Sequence, residues 1–233
     1  MSPGSPGIGG NGRPTSRPIA EAVSARRRAQ MVGGLRTLAR APLDTASPRA
    51  PDEEICDLCG VGIPAQHRHL IHLVERRIVC SCEPCWAMRA GEGDYRPTGN
   101  RTVWLPGLQI PDDLWAAFGI PIGLAFFMRS TVTECVVAMY PSPAGATESE
   151  LRFEAWQRMC ECNPVLTGLE SDIEGLIVNR LSDPPVYAIA PIDQCYALTG
   201  AIKASWEGIS GGSGVQHAVT DFFAGLQARA VPA

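Results

Sequence analysis

Five cysteines inside one thirty-residue stretch constrain this chain more than any other feature. The segment CDLCGVGIPAQHRHLIHLVERRIVCSCEPCW begins at Cys56. Cys56 and Cys59 form one C-x2-C pair, Cys82 and Cys85 a second, and Cys80 adds a C-x-C before it. Gly60 follows the first pair and permits a tight turn whose amides point back at the sulfurs. Two such knuckles supply four thiolates, the donor set of zinc ribbons and of rubredoxin-type iron sites. The stretch between them, HRHLIHLVERRIVC, has the pattern of a hairpin turning near Glu75 and Arg76. Zinc is the expected metal and iron the alternative.

The fifth thiol leaves the ligand set open. Cys80 can replace Cys82, or stand beside the metal as a neighbouring or reactive group. His67 and His69 share one face of an extended strand and His72 takes the other. One of them could complete a mixed three-cysteine, one-histidine site. His69 or Cys80 could also serve a separate open catalytic metal, although neither an HExxH nor a deaminase signature is present.

The remaining cysteines read as structural. Cys135 lies in an apolar strand and is expected to be buried. Cys160 and Cys162 flank Glu161 at a helix end, where packing is expected ahead of metal binding. Cys195 follows Asp193 near a helix start, where a thiol pKa can fall, but no nearby histidine of known geometry supports a nucleophile there. His217 stands alone. The cysteine total of nine is odd, and the N-terminus MSPGSPGIGGNGRPTSRP has no apolar secretory core. These features favour a reducing cytoplasm, where clustered thiols bind metals.

Charge divides the chain. Residues 1–50 carry eight arginines against Glu21 and Asp44, while the rest is acidic. The first 50 residues read as a disordered basic segment with an amphipathic helix at 19–40, followed by a Pro-rich linker at 41–52. The acidic remainder lacks the electrostatic footprint of a nucleic-acid binder. The longest apolar run, Ile120 to Met128, is broken by Pro121 and Gly123 and falls short of the roughly 18 residues of a membrane span.

The expected fold class is α+β. A small zinc-ribbon or rubredoxin-like module at 53–90 precedes an antiparallel sheet with helices on one face at 101–230. Asp112 and Asp113 cap a short helix. Ile122–Arg129 and Cys135–Tyr140 pair as a hairpin, and PSPAGATES (141–149) is a loop. A helix runs from Glu148 to Cys160, strands cover 173–179 and 186–190, and helices cover 191–206 and 215–229. No Walker or dinucleotide glycine motif is present.

The runs CDLCGVGIPAQHRHLIHL, VCSCEPCW, WAAFGIPIGLAFFMRS, VVAMYPSPAGATES, NPVLTGLE and APIDQCYALTGAI resemble an uncharacterised family found mainly in actinobacteria. Its genes accompany those of high-affinity nickel–iron hydrogenases. The resemblance runs from about Glu53 to Leu226. It implies an accessory protein of hydrogenase assembly or function, partnered by a hydrogenase subunit or maturation factor. In that role Cys56, Cys59, Cys82 and Cys85 would hold a structural zinc, and the α+β domain would bind the partner. The resemblance thus implies an interaction protein rather than an enzyme. The alternatives are a rubredoxin-like electron carrier and a metal-dependent enzyme with an open Cys/His site.

Overall fold

The computed structural model describes residues 54–149, 151, 153–208 and 211–232. The basic segment at 1–50 and the linker after it lie outside the described residues. Glu53–Ala233 form one compact unit.

A three-stranded antiparallel sheet comes first. Its strands are β1 (Arg68–His72), β2 (Arg77–Ser81) and β3 (Tyr95–Pro97), in the order β2-β1-β3. Arg76 takes a positive φ of 49° in the β1–β2 turn, at the position where the sequence predicts the hairpin to reverse. Helix α1 (Glu83–Arg89) follows β2. The strand β3 falls in a stretch whose glycines read as a plain connection.

The second sheet has seven strands in the order β10-β4-β9-β8-β5-β6-β7. They are β4 (Val103–Trp104), β5 (Leu124–Ser130), β6 (Cys135–Ser142), β7 (Gly145–Ser149), β8 (Glu174–Asn179), β9 (Val186–Pro191) and β10 (Val231–Pro232). All pairs are antiparallel except β10 with β4. The helices are α2 (Asp112–Ala117), α3 (Phe153–Cys162), α4 (Ile192–Ala204) and α5 (Gly212–Arg229), with a 3-10 turn at Pro164–Gly168. The α+β class holds.

The helices divide between the two faces of this sheet rather than keeping to one. Ala125 and Phe127 of β5 pack with Leu114 of α2 and with Trp156 and Met159 of α3. Leu124, Phe126 and Met128 point the other way, toward Leu198 and Ile202 of α4 and Phe223 of α5. A strand alternates its side chains, so five buried residues in succession in β5 require cover on both sides. Every residue of β8 is buried for the same reason, Glu174 included. Arg101 satisfies that carboxylate with two hydrogen bonds, Nε to Oε1 at 2.8 Å and Nη2 to Oε2 at 2.6 Å. A charge buried this deeply is tolerated only when so paired.

Two sequence expectations are corrected here. PSPAGATES is not a loop: β6 runs through Ser142, and Gly145–Ser149 returns as the edge strand β7. The turn is closed by Ser142, which receives the Ala144 amide at 3.1 Å and donates to the Gly145 carbonyl at 3.1 Å. The helix expected from Glu148 starts at Phe153 instead, because β7 occupies its first residues.

Ile71 and Leu73 join the small sheet to the large one. Both are buried in the apolar cluster that holds Ile192, Cys195 and Leu198 of α4. This seam places the start of α4 against β1.

Candidate metal centre

The first knuckle is built by backbone hydrogen bonds. Ile55 and Gly62 form an isolated antiparallel bridge. Within it the Cys56 amide donates to the Val61 carbonyl and the Gly60 amide to the Cys56 carbonyl, both at 2.8 Å. Gly60 has a φ of 74°, a left-handed conformation that glycine adopts at low cost. Asp57 ties this knuckle to β2. Its amide donates to the Cys80 carbonyl at 2.9 Å, and its Oδ2 accepts from the Cys80 amide at 2.7 Å.

The second knuckle is the start of α1. Cys82 occupies the N-cap position, and its carbonyl accepts from the Trp86 amide at 2.9 Å. Pro84 sits in the first turn, where its missing N–H costs nothing. One turn then carries Cys85 back beside Cys82.

The two knuckles converge. The sulfurs of Cys56, Cys59, Cys82 and Cys85 all lie within 4.8 Å of one another. Cys59 and Cys82 are 3.7 Å apart. The edge of a tetrahedron with metal–sulfur bonds of ~2.3 Å is about 3.8 Å. None of the nine cysteines is in a disulfide.

Proton sharing among the four thiols reflects this crowding. Burial resists ionisation of Cys56, yet the backbone groups of Cys82, Leu58 and Cys59 outweigh it and bring the thiol down to about 6. Side-chain hydrogen bonds with Cys82 and Cys59, reinforced by desolvation, push Cys85 up to about 12. Cys56 thus ionises readily while Cys85 resists ionisation. A divalent cation at the centre removes that resistance, because metal binding displaces thiol protons.

Cys80 does not join this group. β2 ends at Ser81, so Cys80 belongs to the strand while Cys82 belongs to the helix cap. In the β1–β2 ladder Cys80 stands opposite His69. The three donors His67, His69 and Cys80 form a separate cluster, also within 4.8 Å of one another. His72 lies apart from both groups: its Nδ1 accepts from the Glu75 amide at 3.2 Å, and its ring meets Tyr95 edge to face.

Beyond the module, Cys135 is exposed and donates to Thr133 Oγ1 at 3.1 Å. The expectation of a buried residue fails because it opens β6 at the hairpin turn. Cys160 and Cys162 sit at the end of α3 and join no donor cluster among the described residues. Cys195 is fully buried under β8, and desolvation raises its pKa well above the ordinary value. That is the reverse of what a nucleophile needs. His217 lies exposed on α5.

Two functional candidates were not singled out in the sequence. Asp193 accepts a hydrogen bond from His69 and Glu54 faces His67. Asp193 is 124 residues from His69, so no local spacing signals the pair.

A family profile matches residues 55–230, from the first knuckle to the end of α5. The chain belongs to DUF5947, a family of unknown function. The matched span covers both donor clusters and every strand but β10, so the cysteine module is part of the DUF5947 domain and not an addition to it. No curated protein and no solved structure matches the chain. No helix among the described residues is long and apolar enough to cross a membrane.

Proposed function

We propose that this DUF5947 protein is a metal-stabilised accessory protein, with one zinc ion held by Cys56, Cys59, Cys82 and Cys85. The observation that carries this reading is the convergence of four sulfurs from two knuckles within 4.8 Å. A site closed by four thiolates leaves no position for substrate, which is the pattern of structural zinc. The role of the ion is then to hold the first knuckle, β2 and α1 together. The α+β body carries the surface for a protein partner. That the partner belongs to a nickel–iron hydrogenase system rests on the sequence resemblance alone. In this reading the compartment is a reducing one, the cytoplasm, where clustered thiols bind metals rather than form disulfides.

Metal analysis and an absorption spectrum test the reading, on protein purified anaerobically without nickel resin. Zinc is expected, with no visible bands. Replacement of zinc by cobalt is expected to give the intense spectrum of a four-thiolate site, lost in Cys59→Ser. Iron with thiolate charge-transfer bands would move the function to electron transfer. Metal-free protein with all thiols titratable would overturn both.

A further inference from the structure

The second donor cluster has the organisation of a site in its own right. His69 and Cys80 face each other across the β1–β2 ladder. His67 precedes His69 by two residues, immediately before β1 begins. The two rings meet edge to face with centroids 4.6 Å apart.

Hydrogen bonds fix the tautomer of both rings. His67 Nδ1 is 2.9 Å from the Pro64 carbonyl and 3.0 Å from Glu54 Oε2. Both neighbours are acceptors, so Nδ1 carries a proton, and in the neutral ring Nε2 offers its lone pair. His69 Nδ1 lies 2.9 Å from Asp193 Oδ2, with the same consequence. The His67 side chain is only 5% exposed, and its Nε2 is buried without a hydrogen-bond partner. Leaving a polar atom in that state costs about 1–3 kcal/mol. A lone pair on a buried imidazole, beside a second imidazole and a thiol, fits a cation.

We propose that His67 Nε2, His69 Nε2 and Cys80 Sγ form a second metal site, for a borderline-soft divalent ion of the zinc class, with its fourth position open to water or an exchangeable ligand. Two imidazoles and a thiolate suit such an ion. A carboxylate behind each imidazole is the arrangement that orients metal-bound histidines and raises their basicity. Glu54 and Asp193 supply it. Among the described residues no fourth donor joins the three, and three protein ligands with one free position distinguish catalytic or exchangeable sites from structural ones. Asp193 is a positioning residue that acts through His69. It lies in the first turn of α4, so the site bridges the small sheet and the larger domain. The two clusters share no ligand, but they are linked: Glu54 and Pro64, which hold His67 Nδ1, flank the first knuckle, and Asp57 of that knuckle binds the Cys80 backbone.

Titration of the metal-free, reduced full chain with Co2+ tests the proposal. Charge-transfer intensity reports how many thiolates bind each ion. The wild type is expected to take two equivalents, one with four thiolates and one with a single thiolate. His69→Ala and Cys80→Ser are each expected to lose only the single-thiolate equivalent, with an unchanged circular dichroism spectrum. Asp193→Asn is expected to keep that ion but bind it about 10- to 100-fold more weakly. Saturation of the wild type at one equivalent with the four-thiolate spectrum would overturn the proposal. So would His69→Ala and Cys80→Ser proteins that bind as much Co2+ as the wild type. Loss of the four-thiolate spectrum alone, with the single-thiolate ion retained, would count against the structural zinc and support this second site.

Discussion

The three-stranded module and the seven-stranded body solve the same problem with different means. The body buries apolar side chains on both faces of its sheet, with Phe118, Phe126, Phe127, Met128, Met159 and Leu176 all essentially removed from solvent. The module, residues 54–98, has far less to bury: Cys56, Ile63, Leu70, Ile71, Leu73 and Val79 are its inaccessible apolar residues. Units of roughly 40 residues need a metal, disulfides or a neighbour to stay folded. The module has a thiol cluster on one side and the seam at Ile71 on the other. In such units the free energy of metal binding is folding free energy, of order 10–16 kcal/mol for structural zinc. The contrast is between a region whose small apolar core is joined by a cluster of four thiols and a region with a large packed core.

The largest effect expected is therefore from Cys56→Ser. Cys56 is buried at 1% exposure and is the anchor of the first knuckle. Removing it is expected to abolish the four-thiolate site and unfold residues 54–66 and the start of α1, while β5, β6 and β8 keep their protection. Hydrogen exchange resolved by peptide reads this directly. Equal loss of protection in module and body would break the comparison, and no loss in either would remove the metal from the account of stability.

Ile71→Ala probes the seam between the two regions. Ile71 is fully buried and packs in the cluster of Ile192, Cys195 and Leu198. Truncation of such a residue costs about 2–5 kcal/mol. The expected result in urea unfolding is a lower midpoint for module and body together, because the residues from Glu53 onward form one compact unit. A fall confined to the module would show two independently stable parts.

The two regions also differ in how far their sequence can be read. The knuckles were legible because C-x2-C spacing is a local signal, and the β5–β6 hairpin because its apolar runs are bounded by the turn residues Ser130–Glu134. The choice between Cys80 and Cys82 was not legible. C-x-C and C-x2-C overlap there, and the answer depends on β2 ending at Ser81. In the body, β7 was hidden by a composition of Gly, Ala, Thr and Ser that reads as a turn. β4 and β10 have two residues each, too few to show a period. The carboxylates of Glu54 and Asp193 become partners of histidines only through the fold, since Asp193 reaches His69 by α4 docking on β1. Cover on both faces of the large sheet was in principle readable from the unbroken apolar stretch of β5. That same stretch also fits a buried helix segment or a single buried face, so periodicity alone could not assign the layers.

Gly175→Ala tests whether packing, without metal or thiol chemistry, governs the body. Gly175 lies on β8 under α4, and a methyl group there would stand 2.6 Å from Cys195 Sγ and 3.4 Å from the Phe127 carbonyl. The backbone of β8 cannot retreat, because both neighbouring strands are hydrogen-bonded to it. Overpacking of this kind costs about 1–3 kcal/mol. The sulfur is the atom in the way: Cys195 Cβ would be 3.7 Å from the new methyl, an ordinary contact. Cys195→Ala should thus relieve the clash, and the double variant is expected to be more stable than Gly175→Ala alone. The coupling, read from a double-mutant cycle of urea midpoints, should fall in the range of about 0.5–3 kcal/mol for residues in contact. Additive effects would mean that the sulfur does not limit the approach of α4 to β8. A positive coupling identifies Cys195 as a space-filling residue, in contrast to the five cysteines of the module, whose sulfurs face one another or a pair of imidazoles.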